Sequence, residues 1–135
     1  MQALHEAIRF DLVVASDLAR AHDTARIIAT ALDMAVDTDP AFRERHAGPW
    51  QGLTRPEINE RWPGAIGAHE WPKGYELDEA VTNRVIPALR DVASRSSRAL
   101  IVAHGGVIRA LDRGSGAPDE AIPNLAGRWY GVGRD

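Results

Sequence analysis

The segment Ala99 to Gly106, A-L-I-V-A-H-G-G, constrains this chain more than any other. Five small or apolar residues in succession, Ala99 to Ala103, suit a strand covered on both faces, as in a parallel sheet. Val107 to Leu111 reads as the start of a helix. His104 therefore stands where a strand hands over to a helix. In open α/β sheets ligands bind at that edge, and the free N–H groups of the helix start favour anions. Gly105 lets the backbone come close to a ligand. A histidine there can donate a hydrogen bond or carry a proton near neutral pH.

A second unit of the same kind lies earlier. Phe10 to Ala15, F-D-L-V-V-A, is an apolar strand candidate, and Ser16 or Asp17 can cap the helix after it. That helix is expected to run to about Asp33, with Leu18, Ala21, Ala25, Ile28 and Leu32 on its buried face. Met1 to Phe10 reads as the end of a preceding helix with Leu4 and Ile8 inward. Asp37 to Gly52 reads as a loop punctuated by Pro40, Gly48, Pro49 and Gly52. Thr54, Pro56 and Glu57 form a capping-box signature for a short helix ending near Trp62-Pro63. Pro63 to Gly74 is expected to be irregular. Leu77 to Arg95 is expected to be a helix with Val81, Val85, Leu89 and Val92 inward, bent at Pro87. A Gly/Pro-rich tail follows from Gly114. If both strands belong to one parallel sheet, their C-terminal ends share an edge, and Arg20 in the first helical turn lies on the same side as His104.

With 135 residues, a single domain is expected. No apolar run approaches the roughly 20 residues that span a bilayer, and no signal-peptide pattern opens the chain. Cysteine is absent, which excludes disulfides, thiolate metal sites and thiol nucleophiles and fits a cytoplasmic location. A net charge of −3 argues against a general nucleic-acid or membrane-surface binder. Fifteen arginines stand against the single Lys73. Arginine offers a planar fork for phosphate or carboxylate, but a GC-rich genome accounts for the bias more simply. His5-Glu6 opens like a zinc-protease motif, yet position nine is Arg9, so no histidine pair for a metal forms. No cofactor or metal is expected. His22 and His69 read as surface residues, and Trp50, Trp62, Trp71 and Trp129 as packing or pocket-lining residues.

Three segments together resemble a known family. They are Ser16 to Ala25 (S-D-L-A-R-A-H-D-T-A), Phe42 to Gly52 (F-R-E-R-H-A-G-P-W-Q-G) with Leu53-Thr54, and Ala99 to Leu111 (A-L-I-V-A-H-G-G-V-I-R-A-L). In that order and at those intervals they resemble the histidine phosphatase superfamily, whose best-known branch is cofactor-dependent phosphoglycerate mutase. The resemblance implies a three-layer α/β/α sandwich with a mainly parallel sheet, and a phosphorylated small molecule as substrate. It implies Arg20 as a phosphate-binding arginine, Glu44 as general acid/base, and His104 as the histidine that stabilises the transferring phosphoryl group. Gly105, Asn124 in I-P-N, and His46 beside Glu44 are its further substrate-binding candidates. The chemistry agrees. A phosphoryl group in transfer spreads negative charge that Arg and imidazole donors stabilise, and a carboxyl near the leaving oxygen can protonate it.

The family's nucleophile has no counterpart. Members begin with a strand ending in Arg-His-Gly, whose histidine attacks phosphorus, and no Arg-His-Gly occurs here; Arg45-His46-Ala47 belongs to another motif. Met1-Gln2-Ala3 resembles the middle of the helix after that strand, so the first βα unit is expected to be missing. His5, on a helix, is a poor substitute. Gln51 stands where the family usually has Glu, and Gly74-Tyr75-Glu76 replaces Gly-Glu-Ser, which bears on substrate preference. Two hypotheses follow. The chain derives from a phosphomonoesterase or mutase acting through phosphohistidine and starts late through a truncated or misassigned gene start. Alternatively it is a non-catalytic phosphate-ligand binder or interaction protein, able to pair through its exposed sheet into a homodimer.

Overall fold

A computed structural model describes residues 9–116 and 127–132. Three strands, β1 (Leu12–Ala15), β2 (Asp37–Thr38) and β3 (Ala99–Val102), form one sheet in the order β2-β1-β3. Both pairings are parallel, and β1 meets β3 in the register Leu12↔Ala99 to Ala15↔Val102. The backbone N–H of Ser16 carries this ladder one step past β1, donating to the Val102 carbonyl at 2.9 Å.

Alternation along β1 sends its side chains to two separate cores. Val13 and Ala15 pack on Ala25 and Ala29 of α1 (Ala19–Ala31). Leu12 and Val14 face the opposite way, against Phe42, α4 (Asp78–Arg95) and α5 (Gly105–Gly114). Helices thus cover both faces of a parallel sheet, the expected α/β sandwich. Along α4, Val81, Val85, Ala88 and Val92 form the buried stripe, and the helix continues through Pro87. The expected Leu89 is only half-buried, with Ala88 taking the central position.

Between sheet and α4 the chain makes an excursion through α2 (Arg55–Arg61) and α3 (Ala65–Ala68). It has its own apolar cluster of Trp50, Ile58 and Ala65, with Trp62, Ile66 and Tyr75 against it. The excursion leaves and returns through a narrow stem. Ala47 bridges Tyr75, the Glu76 N–H donates to the His46 carbonyl at 2.8 Å, and the His46 N–H donates to Glu76 Oε1 at 3.0 Å. Gly48 sits in the stem with φ +59°, and a Cβ there would lie 2.8 Å from the Gly74 carbonyl carbon. Thr54 and Glu57 form the expected capping box of α2.

Several local expectations change. Asp37–Thr38 is a strand, not loop, because its backbone finds β1 alongside. The first helix begins at Ala19, so Leu18 becomes its N-cap and is 39% exposed, while Ala29 and Leu32 are buried. Neither Ser16 nor Asp17 caps that helix; the Ser16 hydroxyl instead accepts from the Leu18 N–H at 3.2 Å. Leu77 is the N-cap of α4 and lies outside it. The stretch expected to be irregular contains the one-turn α3. Both faces of β3 are covered as expected, Ala99 and Ile101 packing on one core and Leu100 and Val102 on the other, while its four residues stay half-buried with no strand among the described residues on its outer edge. The helix expected at Met1 to Phe10 falls almost wholly outside the described residues. No helix among the described residues is long and apolar enough to cross a membrane.

The stem generates a prediction. Gly48→Ala forces a side chain into the left-handed region and against the opposing backbone, which costs roughly 1–3 kcal/mol. The expected result is a lower urea midpoint together with faster proteolysis between residues 48 and 74; an unchanged midpoint would contradict the close approach.

Candidate active site

At the C-terminal edge of the sheet, α5 begins with His104 as its N-cap residue, and its first N–H groups point out of the helix. Three expected residues converge there. His104 is 8% exposed, and its Nε2 lies 2.9 Å from the Ser16 hydroxyl. The Glu44 carboxylate reaches the same helix start, with Oε2 accepting from the Gly106 N–H at 3.2 Å and Oε1 from the Arg45 N–H at 2.9 Å. A Cβ on Gly106 would push the Glu44 carboxylate off the helix start. Arg20, exposed in the first turn of α1, has no ion-pair partner among the described residues, and its charge acts on His104. A half-buried acid, a buried imidazole and an uncommitted guanidinium thus share one strand edge.

Burial holds the His104 imidazole below its usual value of 6.5. The negative charge of Glu44 opposes that effect, and the positive charges of Arg20 and Arg84 reinforce it. The ring is therefore neutral at neutral pH.

The loop carrying Glu44 is fastened by arginines. Arg45 donates to the Glu76 carbonyl at 3.0 Å, to Asp78 Oδ1 at 2.7 Å and to the Gly106 carbonyl at 3.3 Å. Its guanidinium also lies over the Tyr75 ring, 5.6 Å from the centroid. Asp78 pairs with Arg113 as well, at 2.6 and 2.9 Å. Arg113 first, and then Arg45, hold its carboxyl at about 2 against the opposing effect of burial. Arg84 grips both Glu76 oxygens, at 2.7 and 2.9 Å, and the Ala41 carbonyl. On the rim Arg43 and Asp17 form a two-point pair at 2.6 Å each, tying the Glu44 loop to the β1–α1 turn.

The other expected positions divide. Gly105 opens α5 beside His104. His46 is exposed, and its Nδ1 accepts from the Gly48 N–H at 3.1 Å, so its ring is committed to the stem. Asn124 and His5 lie outside the described residues. His69 is exposed and stacks on Trp71, which stacks in turn on Tyr75; Trp50 meets both edge-on, and Trp129 stacks on Phe10. Gln51 accepts the Ala47 N–H at 2.8 Å, a structural task. Ser16, Arg45 and Gly106 were not singled out as site residues from sequence. Each stood inside a quoted motif, and only the fold shows what it touches.

Comparison with known proteins identifies a family. The family model described as the histidine phosphatase superfamily (branch 1) matches residues 1–127. A glucosyl-3-phosphoglycerate phosphatase of Mycolicibacterium vanbaalenii is 37% identical over 131 residues, covering 86% of this chain and 58% of the relative. A 2,3-bisphosphoglycerate-dependent phosphoglycerate mutase of a Methylobacterium species is 33% identical over 142 residues, covering 94% of this chain and 67% of the relative. The chain thus spans between half and two thirds of the length of such relatives. Among solved structures, a mycobacterial glucosyl-3-phosphoglycerate phosphatase in complex with VO3 superposes with a TM-score of 0.80 at 30% identity, covering 95% of this chain and 74% of that one. With the family model matched over residues 1–127 and relatives at 33 to 37% identity, the chain belongs to the histidine phosphatase superfamily.

Proposed function

We propose that this chain binds phosphomonoesters at the C-terminal edge of its sheet, as the phosphate-holding and proton-donating half of a histidine phosphatase site. The observation that carries this reading is the convergence of Glu44 and His104 at the start of α5, with the charge of Arg20, which has no ion-pair partner among the described residues, acting on the same ring. Arg20, the His104 ring and the Gly105 N–H hold the phosphate oxygens, which are anionic and suit both a guanidinium and a helix start. Glu44, kept in place by two backbone N–H groups, is the carboxyl set to protonate the ester oxygen in an intact site, where a histidine attacks phosphorus and the P–O bond to that oxygen breaks. The relatives' names, a phosphatase of a sugar phosphoglycerate and a phosphoglycerate mutase, support small phosphorylated acids as ligands.

The phosphohistidine route needs a histidine that attacks phosphorus, and the 135 residues contain no Arg-His-Gly. The 135-residue chain by itself therefore binds without forming phosphohistidine. Titration with inorganic phosphate or vanadate is expected to give saturable binding that weakens about tenfold or more in Arg20→Ala and His104→Ala, as loss of a charge-assisted hydrogen bond dictates. Incubation with a 32P-labelled phosphomonoester is expected to leave the protein unlabelled. An acid-labile label on any of its histidines would refute the second half of the proposal, and absence of phosphate binding the first.

A second reading, a non-catalytic chain that pairs through its sheet, is favoured by one observation. The apolar strand β3 has no neighbour on its outer edge among the described residues and is half-exposed throughout. Sedimentation of the purified chain separates the two: a dimer dissolved by a proline at Ile101 favours pairing, a monomer the first reading.

The His104 site also predicts how stability follows pH. An imidazole held below 6.5 in the folded chain binds fewer protons there than in the unfolded chain. Its contribution is complete above pH 6.5 and declines as pH falls through that value toward the lower folded one. Urea midpoints on either side of pH 6.5 are expected to drop on the acid side, and to drop less in His104→Gln. An equal drop in both proteins would exclude His104 as the source.

A further inference from the structure

Ser16 is fully buried, and its hydroxyl oxygen has two neighbours. It accepts the Leu18 N–H at 3.2 Å and meets His104 Nε2 at 2.9 Å. A hydroxyl has one proton to give and two lone pairs to offer. If His104 carried its proton on Nε2, that proton would also point at the Ser16 oxygen. The serine's own proton would then be left in a sealed site, with no other acceptor among the described residues. Buried polar hydrogens without partners are rare, because each has lost its hydrogen bond to water without replacement. One arrangement avoids this: the Leu18 N–H donates to Ser16, and the Ser16 O–H donates to Nε2.

We infer that Ser16 is a positioning residue that fixes the tautomer of His104, placing the imidazole proton on Nδ1 as the donor offered to the bound phosphate. The remaining nitrogen is free for that task. Nδ1 has no hydrogen-bond partner among the described residues, yet it is not among the sealed and unpartnered side-chain atoms, of which Trp50 Nε1 is the single example. The hydroxyl itself cannot drift. The Ser16 N–H is tied to the Val102 carbonyl at 2.9 Å, two residues before His104, so serine and histidine ride on adjacent, register-locked strand ends. The ring can thus donate to an anion without becoming charged, which suits a site where burial and two arginines oppose an imidazolium. The charged groups that act on the ring are Glu44, Arg20 and Arg84.

The inference rests on the phosphate-binding reading for its purpose but not for its test. Long-range 1H–15N spectra of the chain labelled at histidine report directly which ring nitrogen is protonated. The expected result at neutral pH is an Nδ1–H tautomer for His104 in the wild-type chain; an Nε2–H tautomer would overturn the inference. Ser16→Ala is expected to move the equilibrium toward Nε2–H and to weaken inorganic phosphate binding about fivefold, the worth of one hydrogen bond. If the wild-type chain binds phosphate and Ser16→Ala binds it equally well with the tautomer unchanged, Ser16 has no positioning role. If the wild-type chain binds no phosphate, the proposed function falls, and the wild-type tautomer still decides the assignment of Ser16. That readout needs no variant to fold.

Discussion

The parallel pairing of β1 with β3 is the constraint from which the rest of the site follows. Its register sets Ala15 opposite Val102, and one further ladder bond brings Ser16 level with the approach to His104. Parallel strands end on the same side, so the turn after each strand opens on the same edge. One turn supplies Ser16 and Arg20, and the other supplies His104, the Gly105 N–H and the Gly106 N–H that holds Glu44. A slip of one residue would exchange the two faces of β1 and send Val13 and Ala15 away from α1. The two cores, one on each side of the sheet, therefore hold the register that the chemistry needs.

Glu44 reaches this edge by a different route. It belongs to no helix or strand, and its loop is held by ion pairs to the start of α4 and by the backbone of α5. Arg45 spans three anchoring oxygens at once, which a lysine could not reproduce, since its single ammonium lacks the planar fork. Asp78 shares its two oxygens between Arg45 and Arg113, so the acid loop, α4 and α5 meet at one carboxylate. The network is partly buried, where losing one partner strands the other charges.

Much of this was legible in the sequence, and the limits have a physical origin. The long helices and the two main strands carry their periodicity locally, and the capping box of α2 is complete within four residues. Strand β2 could not be read, because Asp37 and Thr38 are polar and become a strand only when β1 lies beside them. The half-exposure of β3 was equally invisible, being a property of its place at the end of the described sheet. In the site, His104 and Arg20 follow from their places after two strands, and Glu44 from the family resemblance of its segment. The part played by Ser16 depends on a contact across 88 positions, and that of Gly106 on one across 62. No pattern within a short window carries such information.

The stem between residues 46–48 and 74–76 has a consequence for how a protein of this architecture changes over time. It is closed mainly by backbone groups and by Gly48 pressing on Gly74, and the excursion beyond it has an apolar cluster of its own. Backbone contacts survive most substitutions in the side chains they join. The 25 residues from Pro49 to Lys73 can drift in sequence and length while the acid loop keeps its coordinates, much as a cartridge is exchanged in a fixed socket. Substitutions can accumulate there without disturbing the Glu44 loop, and a laboratory can graft the segment from one relative to another by cutting at the same two points.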